Sequence, residues 1–330
     1  MKLTKNQIDK LNIELTMVLS AEDYAEAERK KLAEARRVAD FKGFRKGNVP
    51  ASLVKKVYGP QILADAVNEA IGTGLQKFVE EEKINILGEP LSSEKQPEVS
   101  WVDGEDFTFV FDIAVNPEVS VEVSAEDEVF QYSVTVSAKE KSEMAAQLKK
   151  YYESQNEEKT DEQLEKEAAE RFKENYKAEA EWRLTKDIRN FYVNKAGVEL
   201  PEAFLKRWLL QANAGKVTAE EVEKEFPGFV EDFKWQMVRN FLMKKYDFKI
   251  TAEDLQEAAK ANVSYQYAMY GINNVPEDIL MEAVKNMMQD QKQIDRLAEQ
   301  VEDKKVIEQL KSEIKITSKK ISSEKFKALA

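Results

Sequence analysis

Residues 161–195 read DEQLEKEAAERFKENYKAEAEWRLTKDIRNFYVNK, with apolar side chains recurring at Leu164, Ala168, Phe172, Tyr176, Ala180, Leu184 and Ile188. A step of four residues places these seven side chains along one face of an α-helix and leaves the charged residues on the others. Neither glycine nor proline interrupts the stretch, so the spacing predicts one unbroken helix. At ~1.5 Å per residue it would span roughly 50 Å, more than a compact small domain requires. Such a helix is an arm or a strand of a coiled coil.

The sequence on either side fits an extended helical body. Gly197 ends the long helix and Leu200-Pro201-Glu202 opens another, followed by expected helical segments at about 218–246, 251–269, 276–299 and 302–315. Pro201, Pro227 and Pro276 are expected at segment boundaries, because proline cannot continue a helix interior. Upstream, a helix starts after Ser137 and ends near Gln155. Before it, residues 118–136 alternate through Val119, Val121, Val123, Tyr132, Val134 and Val136 around the acidic Glu126-Asp127-Glu128, which reads as an extended linker.

The first 117 residues have a different texture. Leu11, Ile13, Leu15, Met17 and Leu19 alternate as a half-buried strand, as do Phe107, Phe109, Phe111 and Ile113. Ser20 with Asp23 three positions later resembles a capping arrangement opening a helix to about Val38. A loop follows, Pro50 fits the first turn of the next helix, and Gly59-Pro60 punctuate the chain before a helix to about Lys83. The expected fold is an α+β amino-terminal domain (1–117), an extended linker (118–136) and an extended all-α domain with long arm helices (137–330).

Composition narrows the chemistry. The 330 residues contain no Cys and no His, which excludes Cys-His and Ser-His-Asp nucleophile systems, thiolate or imidazole zinc sites and disulfides. Net charge is −12, yet residues 1–60 hold 13 Lys/Arg against 8 Asp/Glu, or +5, leaving 37 against 54, or −17, on the remainder. A basic end on an acidic chain suits one-sided contact with a polyanion such as RNA. Met1 is followed by charged and polar residues rather than a signal-peptide core, and no apolar run reaches ~18 residues, so a cytoplasmic protein that does not cross a membrane is expected.

Residues 41–50 read FKGFRKGNVP. Gly43 and Gly47 permit a tight exposed turn, Phe44 offers an apolar tip, and Arg45 with Lys46 offers charge-assisted bonds to phosphate or carboxylate. This loop resembles the ribosome-binding signature G-F-R-x-G-x-x-P of the trigger factor family, matching every defined position. The likeness continues through Tyr58-Gly59, Lys83-Ile84-Asn85, Gly88 with Pro90, Gly104-Glu105-Asp106-Phe107 and Pro117-Glu118-Val119, and more weakly through Val198-Glu199-Leu200-Pro201 and from Pro276 to Phe326.

The resemblance implies an ATP-independent chaperone that docks beside the ribosomal exit tunnel and shields nascent or unfolded polypeptides. Gly43, Phe44, Arg45, Lys46 and Gly47 would contact ribosomal protein and RNA. The family's prolyl isomerase domain would follow the helix ending near Gln155, but only Asn156-Glu157-Glu158-Lys159-Thr160 stands there, too little to hold a domain, so no catalytic residues are expected. Tyr265, Tyr267, Met281, Met287 and Met288 would give the helical domain adaptable apolar surface for clients, since methionine fits partners of many shapes. No cofactor or metal is expected, and the resemblance leaves room for a homodimer off the ribosome. Two other readings are a helical adaptor with one fixed partner and an isomerase by family inheritance.

Other motifs carry little. Gly72-Thr73-Gly74 has Lys77 where a dinucleotide fingerprint needs its third glycine, and it lies in a helical pattern. Gly215-Lys216 lacks the upstream glycine of a phosphate loop and reads as a turn. Glu157-Glu158 and Glu220-Glu221 read as solvated helix faces.

Overall fold

The structure is a computed structural model that describes residues 1–272 and 274–329. It contains two compact units, Met1–Glu118 with Glu199–Gly228, and Val119–Val198 with Phe229–Ala330. The first division falls one residue past the end expected for the amino-terminal domain. Residues 199–228 join that unit rather than the helical body.

In the first unit, β1 (Lys2–Gln7), β2 (Asn12–Leu19), β3 (Leu91–Ser92) and β4 (Phe107–Ala114) form an antiparallel sheet in the order β1-β2-β4-β3. Ile13, Leu15, Met17 and Leu19 of β2 are each at most 2% exposed, as the period of two requires of a face turned to the core. Helices α1 (Ala21–Val38) and α2 (Ala51–Glu82) pack together, with Tyr24, Leu63, Ala66, Val67 and Ala70 meeting Met17, Leu19, Phe107 and Phe109. The capping box at Ser20 is present, its N–H donating to the Asp23 carboxylate at 2.8 Å. Strand β1 escaped the sequence reading because its residues, KLTKNQ, are polar, as suits an exposed sheet edge.

Pro60 lies inside α2 rather than at a boundary. An interior proline costs ~3 kcal/mol, but the helix buries Val54, Ile62, Leu63, Ala66 and Val67, and at ~1.5–3 kcal/mol per buried side chain that packing outweighs the break. Pro227 is likewise inside α6 (Ala219–Lys245).

Helix α5 (Glu202–Ala212) belongs to the first unit through Phe204, which packs with Leu91 and Ala114. Arg207 reaches Asp112 at 2.6 Å and the Ser92 carbonyl at 2.8 Å. Gly88 has φ +72°, and a Cβ there would come within 3.0 Å of the Trp208 indole nitrogen.

In the second unit, α3 (Ala138–Ser154) and α4 (Asp161–Ala196) form a helical hairpin. The expected stripe on α4 holds: Leu164, Ala168, Tyr176, Ala180, Leu184 and Ile188 are buried, joined by Tyr192, and only Phe172 is half-buried. Helices α7 (Ala252–Met269), α8 (Glu277–Met287) and α9 (Gln291–Glu313) share a core of Ala259, Val263, Leu280, Val284 and Leu297. The break between the last two falls at residues 288–290, not near 300, because Asp290 caps α9 by accepting the Lys292 N–H at 2.9 Å.

This large helical part also contains strands. The second part of the expected linker contains β5 (Glu128–Thr135), paired in parallel with β6 (Lys315–Ser322), and α10 (Ser323–Lys327) packs against both. The α+β amino-terminal region followed by a long-helix body therefore stands, with one small sheet added to the body.

Candidate functional site

The loop at residues 41–50 is two consecutive turns. The Phe44 N–H donates to the Phe41 carbonyl at 3.0 Å, and the Asn48 N–H to the Arg45 carbonyl at 2.9 Å. Gly43 and Gly47 occupy the third position of each turn, with φ +94° and +83°. A positive φ at that position is what a type II turn demands. Open space surrounds the place where a Cβ would be, so backbone conformation, not crowding, calls for glycine there.

The base of the loop is fixed while its tip is exposed. Val49 is fully buried with Ala39 and Val54, the Phe41 ring meets Tyr58 edge-on at 6.0 Å, and the Arg36 guanidinium donates to the Val49 carbonyl at 2.8 Å. Between these anchors Phe44 is 43% exposed, and Lys42, Arg45 and Lys46 are exposed without an ion pair among the described residues. A rigid base thus presents one aromatic ring among cations that meet no acid. Beside it, a groove of about 750 Å³ between α1 and α2 is lined by Arg29, Arg36, Arg37 and Lys55. Glu28 also lines that groove, and burial, reinforced by the Asp103 charge, pushes its carboxyl above the ordinary value.

The five residues expected to meet clients are divided by the structure. Tyr265 is 65% exposed. Tyr267, Met287 and Met288 instead pack onto the core shared by α7, α8 and α9, and Met281 is half-buried. Other exposed apolar side chains in this stretch are Met269, Tyr270 and Ile272, at the end of α7 and beyond it, and Ile279 at the start of α8. Met269 and Ile272 escaped the sequence reading because a helix end and its following loop carry no periodicity. Trp182, 61% exposed on α4, was also missed, standing off the four-residue stripe.

The junction between α3 and α4 is closed by packing. Leu148 is buried against Leu164 and Ala168, and the Tyr152 hydroxyl donates to Glu167 at 2.8 Å. Lys159 reaches Glu167 at 2.7 Å and lies 3.7 Å above the Tyr152 ring. Hydrogen bonds from Lys159, then Tyr152, hold the Glu167 carboxyl down to about 2. Among the described residues no three acidic side chains are placed to hold a metal ion, and no helix is long and apolar enough to cross a membrane.

The fold and the loop define a class of two-unit proteins, one α+β unit bearing an exposed basic turn and one built on long helices. Residues 1–151 match the family model described as bacterial trigger factor protein, and residues 180–330 match that of the probable trigger factor C-terminal domain. The chain belongs to the trigger factor family.

Among its relatives, a trigger factor of Coxiella burnetii is 30% identical over 138 residues, covering 42% of this chain and 30% of the relative. One from Cereibacter sphaeroides is 34% identical over 115 residues, covering 35% of this chain and 24% of the relative. The matched part thus spans under a third of the length of these curated relatives. A solved structure described as "Promiscuous Substrate Recognition in Folding and Assembly Activities of the Trigger Factor Chaperone" aligns over 94% of this chain and 99% of that chain. Its TM-score of 0.55 at 13% identity shows a shared fold. The two family matches leave residues 152–179 between them, and these comprise the end of α3, the turn and the first half of α4.

Proposed function

We propose that this protein is an ATP-independent chaperone of the cytoplasm that docks on the ribosome through residues 43–47 and holds nascent or unfolded polypeptides on its helical unit. The observation that carries the reading is the loop itself: every defined signature position is present, on a turn whose base is anchored and whose Phe44, Arg45 and Lys46 face solvent. Ribosomal RNA and acidic ribosomal protein surface supply the anions that such unpaired cations seek. Clients meet dispersed apolar surface such as Tyr265, Met269 and Tyr270, and leave as they bury their own apolar groups, with no nucleotide needed. The closed α3–α4 junction supports the absence of isomerase activity.

Crosslinking on ribosomes stalled with several unrelated nascent chains tests this reading. Crosslinks to most of those chains are expected. Crosslinks to one fixed protein whatever the nascent chain would replace it with the adaptor reading.

A further inference from the structure

Helix α4 has a second face, opposite its buried stripe. Trp182 and Asn190 each stand two residues from a stripe member, Leu184 and Ile188, which is about 200° around the helix. Trp182, Lys186, Asn190 and Asn194 follow one another at steps of four along this face. The core of the unit does not use the Trp182 ring, which is 61% exposed.

These four residues line a cavity of about 360 Å³ whose other wall is the part of α6 in the second unit, contributing Glu231, Asp232 and Trp235. Arg189 ties the walls together, reaching Asp232 at 3.3 Å and lying 5.3 Å from the centre of the Trp235 ring. Charges in the lining balance, Lys186 and Arg189 against Glu231 and Asp232, so the cavity has no net attraction for a polyanion. Its uncommitted groups are of another kind. The Asn190 and Asn194 carboxamides make no hydrogen bond among the described residues.

A carboxamide donates and accepts side by side, as a peptide group does, so each can close a pair of hydrogen bonds with a main-chain amide. Four residues of helix rise ~6 Å, close to the ~6.6 Å between alternate residues of an extended chain. The two carboxamides therefore match alternate peptide groups of one extended segment. The cavity admits one large side chain of that segment beside Trp182.

We infer that an extended segment of an unfolded polypeptide lies along this face of α4, its main chain bonded to the Asn190 and Asn194 carboxamides and one apolar side chain seated against Trp182. The inference rests on the reading of the helical unit as a holder of unfolded chains. Contacts to the main chain are indifferent to client sequence, and a neutral, polar main chain complements a lining whose charges cancel.

The test uses the full-length protein and a fluorescein-labelled ten-residue peptide, with leucine at alternate central positions among serine and alanine, read by anisotropy. N-methylation of alternate main-chain amides keeps the peptide's side chains but removes backbone donors, and should weaken binding about tenfold. Asn190→Leu together with Asn194→Leu keeps the size of both side chains at exposed helix positions and adds apolar surface, yet should also lose about tenfold. That double variant should no longer distinguish the methylated peptide from its parent, because the same contacts are already gone. Trp182→Ala should weaken the parent peptide about tenfold. Equal binding of both peptides by the wild type, undiminished binding by either folded variant, or a methylation penalty that survives in the double variant would each overturn the inference. So would a uridine 12-mer that displaces the peptide from the wild type and itself binds less well to Trp182→Ala. If the peptide fails to bind while the protein still suppresses aggregation of a denatured client, this site falls and client holding stands. If aggregation is not suppressed either, both fall.

Discussion

Replacing Tyr192 with Phe removes one hydroxyl from the most enclosed polar contact of the helical unit. Tyr192 is fully buried on α4, and its hydroxyl donates to the Asp127 carboxylate at 2.8 Å. That carboxylate also accepts from Lys195 at 2.5 Å and from the Ser124 N–H at 3.0 Å, while the Asp127 carbonyl accepts the first amide of β6. One aspartate, 8% exposed, thus joins the end of α4 to the start of both strands of the small sheet. A hydrogen bond to a charged group contributes ~1.5–3 kcal/mol, and Tyr192→Phe should destabilise the protein by about that amount because no water reaches the vacated position. Urea unfolding at pH 7, followed by circular dichroism, measures this as a lower midpoint with an unchanged slope.

The same change made in an Asp127→Asn background should cost only ~0.5–1 kcal/mol, since the acceptor is then neutral. Burial alone would raise the Asp127 carboxyl, but hydrogen bonds from Lys195 and Tyr192 prevail and hold it below the ordinary 3.8. The contribution is therefore complete above that pH and fades as pH falls beneath it. A loss under ~0.5 kcal/mol at pH 7, or an equal loss with and without the Asp127 charge, would refute the assignment of this contact to a charge-assisted bond.

At the hairpin tip, the Glu167 carboxyl is held at about 2 against an ordinary 4.5, so its grip on Lys159 and Tyr152 should be intact above 4.5 and weaken as pH falls toward 2. The Tyr152 ring signals in an NMR titration should shift over that window. Replacing Tyr265, Met269, Tyr270 and Ile272 together by Ser should sharply reduce suppression of client aggregation in light scattering with little loss of stability. Met287→Ser or Met288→Ser should instead cost ~1–3 kcal/mol of stability, because both side chains pack on the core. The protein should leave cis/trans isomerisation of a proline peptide at its uncatalysed relaxation of ~10–100 s at 25 °C, and any concentration-dependent acceleration would show that the α3–α4 junction has been misread.

What the sequence disclosed was periodic and local. Ile13 to Leu19 and Leu164 to Ile188 betray their buried faces because one period runs uninterrupted through each. The turn at residues 41–50 was legible because Gly43 and Gly47 carry its geometry by themselves. Pro60 and Pro227 misled because a local penalty says nothing of the packing that offsets it on either side. The β5–β6 pair was hidden because its strands lie far apart in the chain, and β6, KITSKKIS, carries its lysines where a half-buried strand would alternate. Tyr265 and Tyr267 stand two residues apart, about 200° around a helix, so one faces solvent and the other the core. Composition cannot make that distinction without knowing which side the neighbouring helices occupy.

Ribosome co-sedimentation with the variant F44A/R45A/K46A tests the central claim most directly. All three side chains are exposed, so their removal should leave the helical circular dichroism and the melting temperature nearly unchanged. The wild-type protein should pellet with ribosomes, less so as salt rises and its contacts with phosphate are screened, while the variant should stay in the supernatant. A folded variant that pellets as well as the wild type would contradict docking through this loop.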